Sequence, residues 1–153
     1  MKIIFLDVDG VLNCATTKER VRDLLFVEDC KVQLLKELVD ETGATIILSS
    51  TWRFGFENPE IYPELLELEN KLAQFGLFIE GSTPVDARGY RGKEIDRWLK
   101  AHADEVESFV ILDDDNDMKP WGSHLVKTSW AKGLQPNHIR AAKKILNERV
   151  EIK

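Results

Sequence analysis

Three short clusters in this chain have residue types that could hold a phosphate and a cation together. Asp7 and Asp9 stand one residue apart, followed at once by Gly10. Asp113, Asp114, Asp115 and Asp117 form a second acidic run, interrupted only by Asn116. Ser49, Ser50 and Thr51 supply three consecutive hydroxyls, and Lys93 supplies an ammonium. Carboxylates set this close repel one another: at about 4 Å and an effective dielectric near 20 the penalty is roughly 4 kcal/mol. A solvated turn relieves that repulsion cheaply. A buried one needs a cation, a proton or a reaction to use it.

What precedes each cluster favours burial. Lys2-Ile3-Ile4-Phe5-Leu6 leads into Asp7, Thr45-Ile46-Ile47-Leu48 into Ser49, and Phe109-Val110-Ile111-Leu112 into Asp113. Apolar runs of this length read as core strands, and in open α/β sheets ligands bind at the carboxyl ends of the strands. Each cluster is thus placed where a parallel sheet presents its chemistry.

The segments between the strands have helical period. A helix is expected from about Asp29 to Glu41, with Val32, Leu35, Leu38 and Val39 on one stripe and Gly43 as its stop. A second is expected from about Glu60 to Phe75 and a third from Lys93 to about Ala101, where Ile95, Trp98, Leu99 and His102 share a face. Pro136 begins a fourth. A short strand over Leu77 to Ile79 and another over His124 to Lys127 complete the set. Residues 10–27 are mixed and read as a flap or short helix. The alternation predicts an α/β fold with a parallel sheet.

Bulk properties narrow the class. A chain of 153 residues suits one domain spanning 1–153. With 43% hydrophobic and 31% charged residues it is globular rather than disordered. A formal charge of −6 disfavours long-range attraction of nucleic acid but leaves room for a local basic patch. Cys14 and Cys30 form no disulfide framework and show no metal spacing, which suits a reducing, cytoplasmic setting. No segment is long and apolar enough for a membrane span, and the opening apolar run, broken by Asp7, is too short for a signal peptide.

The ordered set Phe-Leu-Asp-Val-Asp-Gly-Val-Leu, strand-Ser-Ser, Gly-Lys on a helix and Val-Ile-Leu-Asp-Asp resembles the haloacid dehalogenase (HAD) superfamily. The strings Leu-Asp-Val-Asp-Gly-Val-Leu-Asn, Ser-Ser-Thr-Trp-Arg and Leu-Asp-Asp-Asp further resemble the small HAD domains of Swiss Army Knife RNA-repair proteins. The resemblance implies a single Rossmann-like domain with five parallel strands ordered 5-4-1-2-3. About 40 residues separate Asp9 from Ser49, too few for a large cap domain once a helix is counted. An open site follows.

Roles are implied residue by residue. Asp7 matches the nucleophile that forms an aspartyl-phosphate, and Asp9 the acid/base. Ser49 matches the hydroxyl on a phosphoryl oxygen, with Ser50 as a helper, and Lys93 the cation that balances charge. Asp7, Asp9 (through its main-chain carbonyl), Asp113 and Asp114 match the ligands of Mg²⁺, a hard ion that takes oxygen donors. Asp117 is a further candidate. Trp52 and Arg53 follow the serine strand, where an indole could stack a base and a guanidinium could pair with phosphate.

The implied activity is Mg²⁺-dependent phosphomonoester hydrolysis, extending to phosphate removal at an RNA or DNA end. The basic groups Lys18, Arg20, Arg22 and Arg88, Arg91, Lys93, Arg97 could meet other phosphates. A nucleotide or small-metabolite phosphatase is one competing reading. An inactive HAD-like module binding nucleic acid or protein is another.

Overall fold

The computed structural model describes all of residues 1–153. Seven strands form: β1 (Lys2–Leu6), β2 (Arg20–Val21), β3 (Leu24–Leu25), β4 (Thr45–Leu48), β5 (Ile79–Ser82), β6 (Ser108–Asp113) and β7 (Leu125–Lys127). Four α-helices accompany them: α1 (Asp29–Thr42), α2 (Glu64–Gln74), α3 (Arg91–Ala101) and α4 (Pro136–Leu146). A 3₁₀ helix spans Thr51–Phe56.

Five strands make one parallel sheet in the order β5-β4-β1-β6-β7. Read from its other edge this is the expected arrangement. Only the numbering shifts, because residues 10–27 hold a two-stranded antiparallel hairpin, β2 with β3, instead of a short helix. Each hairpin strand is two residues long, below what periodicity can register. The third sheet strand also moves, from 77–79 to Ile79–Ser82. Leu77 is spent instead on the helical core.

β1 is central, and Ile3, Ile4, Phe5 and Leu6 are all fully buried. Alternate side chains point to opposite faces. Ile4 and Leu6 join Leu35 and Leu38 of α1, Leu68 and Leu72 of α2, and Ile139 and Ala142 of α4. Ile3 and Phe5 join Ile95, Trp98 and Leu99 of α3. Three helices therefore cover one face and α3 the other. Trp98 meets Phe5 edge-on at 5.4 Å, an arrangement that aromatic quadrupoles favour.

Register places the site. Leu6 of β1 stands opposite both Leu48 of β4 and Leu112 of β6. The next residue on each strand, Asp7, Ser49 and Asp113, therefore leaves the sheet at the same level, on strands about 4.8 Å apart. Main-chain bonds carry the alignment one step past the strand ends: Asp7 N–H donates to Leu112 O at 3.0 Å and Ser49 N–H to Leu6 O at 2.7 Å. No helix is long and apolar enough to cross a membrane.

Candidate active site

The carboxylates of Asp7, Asp113 and Asp114 converge, with one oxygen of each within 4.8 Å of the others. Asp113 is buried, and Asp7 and Asp114 are partly so. Burial, and after it the nearby Asp113, pushes the Asp7 carboxyl well above the usual carboxylate range, while Arg91 pulls the other way. Burial likewise raises Asp113, to about 6, with Asp114 adding to the rise. Such a cluster holds its negative charge only if something positive neutralises it. All three donors are carboxylate oxygens, so the residues fit a hard divalent cation such as Mg²⁺.

Gly10 is what lets Asp114 come so near. It has φ +83°, and a Cβ there would collide with the Asp114 carboxylate. Across the same turn Thr128 Oγ1 donates to Gly10 O at 2.6 Å. The turn after β1 is thus tied to both the β6 and β7 ends of the sheet.

The Asp9 carboxylate is not one of the three that converge. One of its oxygens accepts from Asn13 Nδ2 at 2.9 Å and the other from Trp52 Nε1 at 3.1 Å. Asn13 Oδ1 also accepts from Gly10 N at 2.9 Å. Each carboxylate oxygen thus has one protein donor, which fixes the orientation of the group.

Ser49 is buried at the end of β4. The Arg91 guanidinium donates to its carbonyl and lies 3.4 Å from its Oγ. Arg91, absent from the sequence-based site, is the cation that reaches the cluster. Lys93 does not: it is exposed, with its ammonium 5.2 Å from the centre of the Tyr90 ring. The reason is helical geometry. At 3.6 residues per turn, positions two apart point to nearly opposite sides. Glu94, three residues after Arg91, shares its side and lies 3.4 Å from its Nε. The signal in the sequence is spacing: Arg91 stands four residues before Ile95 and seven before Trp98, on the stripe that α3 buries.

Four further side chains are placed otherwise than the sequence reading expected. Ser50 Oγ accepts from Trp52 N at 3.2 Å and caps the 3₁₀ helix. Trp52 is only 5% exposed and cannot stack a base; its indole serves Asp9. Arg53 is buried, donating to Ser50 O at 2.6 Å and to Glu94 Oε2 at 2.8 Å. The mouth of the site lacks its guanidinium. Asp117 lies outside the acidic cluster, where Oδ2 accepts from Arg91 N at 3.3 Å.

Arg53, Glu94 and Arg91 thus form a chain from the core to the site. Asp86 N adds a third bond to Glu94 at 2.9 Å. With its charge shared between two guanidiniums, Glu94 fixes the direction in which Arg91 reaches.

None of the curated proteins compared with the chain matches it. The family described as "HAD domain in Swiss Army Knife RNA repair proteins" does match, over residues 3–139. That span runs from the first residues of β1 into α4 and contains every group placed in the site above, so the chain belongs to this family of HAD domains.

Proposed function

We propose that the protein is a Mg²⁺-dependent phosphomonoester hydrolase, cytoplasmic, that forms an aspartyl-phosphate on Asp7 and removes phosphate from nucleic-acid ends. One observation carries the reading: three carboxylates meet at the level where Ser49 and the Arg91 guanidinium also arrive. Membership of a family named for RNA-repair proteins supports the nucleic-acid end as substrate. The lack of a large cap supports it too, because a bulky end can approach. Two unpaired cysteines, Cys14 and Cys30, suit a reducing compartment.

Asp7, Asp113 and Asp114, with the main-chain carbonyl of Asp9, would hold the ion. Bound there, Mg²⁺ would supply the positive charge that keeps Asp7 ionised and screens the phosphoryl group. An Asp7 oxygen attacks phosphorus, and the bond from phosphorus to the ester oxygen breaks. Asp9 gives its proton to the departing oxygen, then takes one from the water that attacks the aspartyl-phosphate. Phosphate leaves and Asp7 is restored. Arg91 and the Ser49 hydroxyl bind the phosphoryl oxygens throughout, and Trp52 and Asn13 keep Asp9 aimed.

The test is hydrolysis of a chromogenic aryl phosphate with and without Mg²⁺. Activity should disappear on chelation and in Asp7→Asn. Asp9→Asn should still bind phosphate while turning over roughly 10²–10⁴-fold more slowly. A panel of phosphorylated oligonucleotides, nucleotides, sugars and phosphopeptides then ranks substrates. Preference for free nucleotides or sugars would favour a metabolite phosphatase. No turnover, with RNA binding that survives Asp7→Asn, would replace the enzyme with a binding module.

A further inference from the structure

A pocket of about 470 Å³ lies between the start of α3 and the loop that follows β6, and it serves none of the steps above. Arg88, Tyr90, Lys93, Asn116, Asp117 and Lys119 line it. Three cations face one carboxylate, so the pocket is locally positive on a chain of net −6. Arg88, Lys93 and Lys119 are exposed and form no salt bridge, whereas neighbouring Arg53, Arg91 and Arg97 are each paired with a carboxylate.

The walls of this pocket are fixed to the site. Arg91 N donates to Asp117 Oδ2 and Gly92 N to Asp117 O at 2.9 Å, while the Arg91 side chain reaches Ser49. One residue therefore has its main chain on the pocket and its guanidinium on the phosphoryl position. Gly92 permits this closeness, since a Cβ there would collide with the backbone of Met118 and Lys119. Tyr90 is 48% exposed and carries Lys93 over its ring. Cations spaced around an exposed aromatic are the parts that bind a single strand, the charges tracking its phosphodiesters and the ring taking a base.

We propose that this pocket holds the nucleotide adjoining the phosphate to be removed, so that the preferred substrate is a phosphorylated single strand and not a free nucleotide. The inference rests on the phosphatase reading and refines its substrate. Phosphate alone is served by Ser49 and Arg91. The pocket adds recognition of the phosphodiester next along the chain, which a mononucleotide lacks.

The experiment has a binding arm and a turnover arm, both on the full chain. In an Asp7→Asn background, fluorescence anisotropy measures affinity for an end-phosphorylated single-stranded RNA octamer. The same background carrying Arg88→Ala, Lys93→Ala and Lys119→Ala together should bind at least tenfold more weakly. Its affinity should also fall less steeply with salt, because fewer counterions are released. Unchanged affinity and salt slope would overturn the proposal. In the turnover arm, the triple variant with Asp7 intact should lose at least tenfold more kcat/KM on the octamer than on an aryl phosphate. Equal losses on both would count against a strand subsite, and so would an equally large loss on a phosphopeptide. Should the wild type hydrolyse no aryl phosphate, the phosphatase reading fails, and the binding arm still decides whether the pocket takes a strand. All three positions are exposed, and an unchanged thermal midpoint verifies that the triple variant is folded.

Discussion

Trp52 donates its indole Nε1–H to Asp9 at 3.1 Å across 43 residues of sequence. The indole is buried, and the carboxylate it holds lies at the exposed edge of the site. A residue placed by the serine strand therefore sets the direction of a residue placed by the first strand.

Trp52→Phe keeps an aromatic ring in the core and removes that donor. A hydrogen bond to a charged group is worth about 1.5–3 kcal/mol, and misdirection of Asp9 should lower kcat about tenfold or more with little change in KM. Stability should fall by about 1–3 kcal/mol, because Phe is smaller than Trp and leaves a gap in the core. Steady-state kinetics beside chemical denaturation separates the two, and a KM effect with unchanged kcat would reassign Trp52 to substrate contact.

Arg91 and Lys93 make a paired test. Arg91→Ala removes the guanidinium at Ser49 and is expected to lose at least tenfold more aryl-phosphate turnover than Lys93→Ala. Arg91→Lys should recover little, because a point charge on a flexible stem does not reproduce the planar fork. Equal losses in the two alanine variants would return Lys93 to the reacting centre.

The Arg53–Glu94 pair is a stability element. Its side chains are 5% and 3% exposed, and without Arg53 the buried Glu94 carboxylate keeps only Arg91 and the Asp86 N–H. Arg53→Ala should destabilise the fold by about 1.5–3 kcal/mol, the worth of a hydrogen bond to a charged group. Urea unfolding in the absence of any substrate measures this. A cost under about 1 kcal/mol would mean that Arg53 is free to serve a ligand.

Mg²⁺ and pH should act on the same carboxylates. Asp7 and Asp113 are raised in the folded state, Asp113 to about 6, against about 3.9 for an unperturbed aspartate. As pH rises, the unfolded chain releases these protons first. The Asp113 contribution to stability is therefore complete below about pH 4 and is lost as pH climbs through about 6, and that of Asp7 is lost as pH climbs through its own raised value. A cation competes with the retained protons, so Mg²⁺ should raise the thermal midpoint more at about pH 7.5 than at about pH 5. In Asp113→Asn the gap between the two shifts should shrink. Calorimetry finding equal Mg²⁺ shifts at both pH values would separate the cluster from the cation.

Strands, helices and the acids at strand ends were legible because each depends on local pattern: an apolar run marks a buried strand, and chain direction fixes which residue leaves its carboxyl end. The convergence of Asp7 with Asp113 and Asp114 followed from that polarity. The β2–β3 hairpin was not legible, since two residues per strand carry no period.

Helix phase and burial required the tertiary structure. Arg91 and Lys93 are both basic residues in one first turn, and only the packing of α3, with Glu94 inward and Gly92 against residues 118–119, turns the first toward Ser49 and the second toward solvent. Trp52 and Arg53 looked like groups at a mouth because they follow a strand end. Whether they meet solvent is decided by partners far along the chain, Asp9 for one and Glu94 for the other. Sequence alone named the acids, since a strand's direction is written into its order. The fold chose the cation and the supports, since facing and burial are set by contacts between distant segments.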